Sequence, residues 1–155
     1  MSPACMPADE SPQSVYLHPG HIYTTSHATL ISTVLGSSVA VSLWDPHTRK
    51  GGMNHFLLPA GEGPRYGTGA MAQLLDELLA RGAVLECLIA RIFGGASVMS
   101  GLTGPPKAVA MQNIEAAQEF LTARAIRFTA EHTGGRRGRK VLFHTGTGQA
   151  YVKEF

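Results

Sequence analysis

Residues 28–59 read ATLISTVLGSSVAVSLWDPHTRKGGMNHFLLP, and three strand signals follow one another within them. Ala28 to Leu35 is rich in β-branched residues and stops at Gly36. Val39 to Trp44 alternates and is closed by the turn-forming pair Asp45-Pro46, and Gly51 to Leu58 is a third run halted by Pro59. Such a run of short strands commits this part of the chain to a sheet.

The period changes further along. Met71, Leu74, Leu75, Leu78 and Leu79 share one helical face, which predicts a helix over Thr68 to Arg81 with Gly82 as its stop. Val84 to Phe93 is almost wholly apolar, as expected of a strand covered on both faces. Gly94-Gly95-Ala96 then marks a sharp turn or a close approach of chains. Lys107 to Ala123 reads as a second helix with Val109, Ile114, Ala117 and Leu121 inward. Ile126 to Thr129, Lys140 to His144 and Ala150 to Lys153 read as closing strands. The expected class is α+β: a mixed or antiparallel sheet system carrying two main helices.

The 155 residues suit one domain able to bury its own core. Residues 1–14, rich in Pro, Ser and acid, read as a flexible leader, and 15–155 as a single domain. The chain is 44% hydrophobic and only 15% charged, against ~25% charged in an average domain, which excludes a disordered chain, a coiled coil and a charge-driven surface binder. A net charge of +2 is too even for a dedicated nucleic-acid domain. One basic cluster stands out, Arg136, Arg137, Arg139 and Lys140. No apolar run approaches the ~20 residues of a membrane span, and the start lacks a secretory signal. Two cysteines, Cys5 and Cys87, make no disulfide framework, so a cytoplasmic monomer is expected.

Phosphate loops, dinucleotide fingerprints and paired-cysteine metal spacings are missing from the sequence. His18, His21 and His27 lie close together but lack a fourth partner or helical spacing, so neither metal nor cofactor is expected. More informative is Leu35-Gly36-Ser37-Ser38-Val39 followed by Gly51-Gly52-Met53-Asn54-His55. Paired strands would bring Ser38 and His55 together as nucleophile and base, with N–H groups of Gly36, Ser37 and Val39 as oxyanion donors. The bland alternative is a turn serine and a hydrogen-bonded core histidine. Met53, Phe56 and Trp44 read as core, although Met53 and Phe56 could also line a groove. Gly94, Gly95, Gly134 and Gly135 read as structural. The basic cluster either faces an acidic partner helix or is a solvated turn.

Leu35 through Pro59, with its ending Gly51-Gly52-Met53-Asn54-His55-Phe56-Leu57-Leu58-Pro59, resembles the CheD family of chemoreceptor glutamine deamidases. So do Ala90-Arg91-Ile92-Phe93-Gly94-Gly95-Ala96, Asn113-Ile114-Glu115-Ala116, and Thr133-Gly134-Gly135 followed by Arg139 and Val141. The blocks keep their order over about residues 16 to 153. The resemblance implies a layered α+β fold shared with deamidating bacterial toxins. It implies hydrolysis of receptor glutamine side chains to glutamate, and binding to the phosphatase CheC. It also implies a catalytic Cys, His and Thr, whose register falls on Ser38, His55 and Ser32.

Position 38 is the departure, since Ser38 stands where the family has cysteine. A thiol of pKa ~8.5 ionises readily beside an imidazole, whereas an alcohol must lose its proton during attack. Loss of several powers of ten in rate is expected. Ser38 fits either a disarmed enzyme or a catalytically silent module that binds CheC or receptor helices. A second departure is Val109-Ala110-Met111-Gln112-Asn113, where the family commonly has Ile-Gly-x-Arg-Asn. An unrelated serine esterase is disfavoured, because no Gly-x-Ser-x-Gly elbow is present.

Overall fold

A computed structural model describes residues 12–97 and 105–155 of the chain. Nine strands are described: β1 (Gln13–Tyr16), β2 (Ile22–Thr25), β3 (Thr29–Leu35), β4 (Val39–Asp45), β5 (Lys50–Asn54), β6 (Ile89–Gly94), β7 (Arg127–Thr133), β8 (Arg139–His144) and β9 (Ala150–Glu154). The helices are α1 (Gly67–Ala80) and α2 (Pro105–Ala123). Two sheets form, ordered β1-β3-β8-β9 and β2-β5-β4-β6-β7. The β1–β3 and β6–β7 pairs are parallel and the remaining pairs antiparallel, giving the mixed α+β architecture.

Alternation along β4 builds the layers. Val39, Val41 and Leu43 face a core shared with Met71, Leu74 and Leu78 of α1 and with Ala117, Phe120 and Leu121 of α2. Ala40 faces the other way, into a core with Ile31, Leu35, Met53, Phe93, Val141 and Phe143. The five-stranded sheet is therefore the middle layer, with helices on one side and the four-stranded sheet on the other. Each fully buried Leu, Met or Phe contributes roughly 1.5–3 kcal/mol to this arrangement.

Some boundaries differ from the sequence expectation. Gln13 and Ser14, assigned to the leader, belong to β1, which pairs with Thr29 and Leu30. The rest of the leader, including Cys5, lies outside the described residues. β2 was not expected at all. Val84 to Leu88 is not strand: a 3-10 turn spans Leu85–Cys87, and β6 begins at Ile89. Asp45 holds this junction, accepting from the Val84 N–H at 2.9 Å and the His47 N–H at 2.8 Å. On α2, Val109 is half-buried, while Asn113 faces fully inward.

Candidate active site

The Gly36-Ser37-Ser38 turn is where the chain leaves one sheet at Leu35 and enters the other at Val39. Val39 and Phe56 then exchange backbone hydrogen bonds of 3.1 and 2.9 Å, drawing the segment after β5 against the turn. His55 is fixed from both sides, its N–H donating to the His21 carbonyl and its carbonyl accepting from Gly20. These bonds seat the His55 ring between the sheets, 1% exposed, beside Ser38 at 8%.

The His55 Nε2 lies 2.9 Å from the Ser38 Oγ. Its Nδ1 lies 2.7 Å from the Thr33 Oγ1, and the Thr33 hydroxyl donates to the Leu17 carbonyl, also at 2.7 Å. A hydroxyl has one proton, so Thr33 accepts at its ring contact and Nδ1 carries the hydrogen. Nε2 is then the bare nitrogen, turned toward Ser38. Burial, opposed in part by the Leu17 backbone, holds the imidazole pKa down from 6.5 to about 4. The ring is neutral near pH 7, in the tautomer a general base requires.

Of the three residues singled out in the sequence, the structure brings Ser38 and His55 into contact and does not bring Ser32 to them. Ser32 is in β3 opposite Leu142 and Tyr16, with its side chain on the outer face of the strand, and Thr33 holds the imidazole instead. The alternation of Ile31, Thr33 and Leu35 carried that signal, because these residues share the buried face. Val39 is also corrected as an oxyanion donor, since its N–H is engaged by the Phe56 carbonyl. The N–H groups of Gly36, Ser37 and Ser38 have no acceptor among the described residues.

The basic cluster divides. Arg136, Arg137 and Lys140 are exposed. Arg139 is 5% exposed and turned inward, donating to the Gly94 carbonyl at 3.2 Å and the Gly134 carbonyl at 2.7 Å. It pins two turns from the interior, unlike the other three basic residues. Met53 and Phe56 are fully buried in the cores. His18 and His21 have ring centroids 5.9 Å apart. Among the described residues, no group of three or more His, Cys, Asp or Glu is placed to hold a metal. A groove of about 480 Å³ between the helices, lined in part by Ala72, Glu115, Phe120 and Arg124, contains none of the site residues.

In the sequence Asn113 stands out only as part of a helix motif. Its Nδ2 donates to the Ser37 carbonyl at 3.1 Å and to the Leu57 carbonyl at 3.0 Å, tying the Ser38 turn and the segment after His55 to α2.

The profile of the family described as CheD chemotactic sensory transduction matches residues 59–154. The chain belongs to the CheD family. A protein of Anaeromyxobacter dehalogenans named "Probable chemoreceptor glutamine deamidase CheD 1" is 42% identical, the match covering 90% of this chain and 84% of that one. A Trichlorobacter lovleyi protein, "Probable chemoreceptor glutamine deamidase CheD", is 44% identical over 90% of each chain. A Burkholderia thailandensis relative is 42% identical over 92% of this chain and 64% of its own. The profile match begins after His55, whereas the matches to these relatives cover 90% or more of the chain. No described helix of this CheD chain is long and apolar enough to cross a membrane.

Proposed function

We propose that this chain carries the site of a chemoreceptor glutamine deamidase in which Ser38 occupies the nucleophile position and slows the reaction. The observation that supports the reading is the line of contacts from the Leu17 carbonyl through Thr33 and His55 to Ser38. In such a site Nε2 removes the proton of residue 38 as its heteroatom bonds to the glutamine carboxamide carbon. The carbonyl π pair moves to oxygen, where backbone N–H groups of the turn stabilise it. Collapse expels ammonia, which takes its proton from the imidazolium. A water activated by the same Nε2 then releases glutamate. Thr33 holds the ring and its tautomer throughout.

Serine fits this relay poorly. With the imidazole held down at about 4, a thiol of pKa ~8.5 gives up its proton to the base far more readily than an alcohol, which is a much weaker acid. Serine hydrolases rely on a buried carboxylate to stabilise the imidazolium, and here a threonine hydroxyl stands at Nδ1. The same two facts favour a second reading, a cytoplasmic binding module that holds CheC or a receptor helix without turnover. Exposed Arg136, Arg137 and Lys140 would steer a glutamate-rich partner in either case.

Mass spectrometry of a glutamine-bearing receptor fragment separates the readings. Ser38→Cys should convert glutamine to glutamate several powers of ten faster than the chain itself. Equal conversion by both would refute the impairment. Failure of both, with CheC or receptor still captured, would leave the binding module.

A further inference from the structure

The three carbonyls of the turn are all engaged by the segment after β6 and by α2, two neighbours that adjoin where Ile114 packs on Gly95. Gly36 O accepts from the Ala96 N–H and Ser38 O from the Gly95 N–H, both at 2.9 Å, and Ser37 O accepts from Asn113. In a trans peptide the N–H points opposite to the C=O, and no described peptide bond is cis. Holding the Gly36 and Ser37 carbonyls therefore aims the N–H groups of Ser37 and Ser38 together in the other direction. Two of these anchors are backbone donors from the end of β6. The third is a single side chain from α2.

Asn113 is fully buried and gives Nδ2 to two carbonyls. Its Oδ1 is buried with no hydrogen-bond partner among the described residues. Turning the amide over would set that oxygen against both carbonyls, so the orientation is fixed. Among the described residues an acceptor is thus left unpaired in the interior, at a cost in stability, while two donors are kept on the site. The neighbouring residue supplies an internal control. Ile114 packs so closely on Gly95 that a Cβ there would overlap it, yet it makes no hydrogen bond to the turn.

We infer that Asn113 is a positioning residue that, by fixing the Ser37 carbonyl, aims the Ser38 N–H at the oxyanion formed when residue 38 adds to a carbonyl. The inference rests on the acyl-transfer reading of the site. It distinguishes two reactions of a cysteine at position 38. Addition to an aldehyde joins sulfur to carbon, moves the π pair to oxygen and ends with the thiol proton there, so it uses the donor. Alkylation by iodoacetamide joins sulfur to the methylene carbon with loss of iodide and proton, and generates no oxyanion.

The test uses the Ser38→Cys chain with and without Asn113→Ala. Alkylation by iodoacetamide is followed by mass, and hemithioacetal formation from carbonyl-¹³C butanal by NMR. Asn113→Ala should weaken aldehyde addition roughly 10- to 100-fold while alkylation changes less than about threefold. Deamidation should lose kcat by a similar factor with KM unchanged. Ile114→Ala should leave the ratio of the two reactions as it was. Should Asn113→Ala fail to fold, Asn113→Leu, close in shape and without donors, replaces it. Parallel loss of both reactions, or of neither, overturns the inference. A shifted ratio in a chain that deamidates no receptor fragment upholds Asn113 and refutes the deamidase. Deamidation with an unshifted ratio does the reverse.

Discussion

Two glycine-marked turns meet at the end of β6 and are used in different ways. The Gly36-Ser37-Ser38 turn gives its carbonyls to Ala96, Asn113 and Gly95, and turns its one reactive side chain onto His55. The turn between β7 and β8 bonds to the same segment: Gly134 N–H and Arg139 reach Gly94 O, and Gly135 O accepts from Ser97. It sends Arg136 and Arg137 into solvent and buries Arg139 as a clamp. One turn is held so that a side chain and two N–H groups are left for chemistry. The other is clamped by the buried Arg139 and leaves Arg136 and Arg137 in solvent, away from the His55 site.

The difference breaks most severely at the shared segment. Gly94 has φ +99°, and a Cβ there would run into the Ser38 carbonyl and Leu35. Gly94→Ala should cost about 3 kcal/mol or more through backbone strain and overlap together. Gly134, at φ +77° but with nothing within 4 Å, should lose only about 1–2 kcal/mol as alanine. Urea unfolding of the two variants measures the gap, and equal losses would refute it.

The acid response should distinguish the turns next. Because the folded pKa of His55 is lowered from 6.5 to about 4, the unfolded chain binds the proton first. Stability is then fully present above 6.5, falls as pH drops from 6.5 to about 4, and loses about 3 kcal/mol over that window. His55→Gln should remove this slope in urea titrations across pH. Asp45 acts lower. Burial raises its carboxyl, but hydrogen bonds from Val84, Thr48 and His47 outweigh that and hold it below 3.8, so its contribution is lost only beneath that value.

Arg139→Ala should cost about 2–3 kcal/mol, the range for hydrogen bonds from a buried charged group. Arg136→Ala and Arg137→Ala should stay within about 0.5 kcal/mol, as exposed substitutions do. In the Ser38→Cys chain, Thr33→Val should reduce deamidation about tenfold, the value of one net hydrogen bond, while Ser32→Ala leaves the rate unchanged. Steady-state kinetics on a receptor fragment would check this pair.

The strands and helices that form the core were legible because their apolar periods are long and regular. The contact between residues 38 and 55 was legible too, because a turn and a neighbouring strand position them locally. Two misreadings share one cause. In β3, Ile31 and Leu35 point inward, so Thr33 does and Ser32 does not. In β8, Val141 and Phe143 point inward, so Arg139 does as well. A shift of one residue moves a strand side chain to the opposite face, and family register or charge clustering does not register that parity. β1 and β2 were less legible because four-residue strands acquire their identity from distant partners. The Val84–Leu88 segment misled because an apolar run specifies burial without specifying an extended backbone. Asn113 was visible as a residue, but its two acceptors, at positions 37 and 57, are distant in sequence.

The most direct measurement is the protonation of His55 itself, by two-dimensional ¹H–¹⁵N NMR of the imidazole nitrogens near pH 7, with Thr33→Val and Ser38→Ala to assign the two sides. The expected result is a neutral ring, as its buried position favours, protonated at Nδ1 by its bond to Thr33, with Nε2 bare and facing residue 38. An imidazolium, or a neutral ring protonated at Nε2, would contradict it, because neither could accept a proton from residue 38.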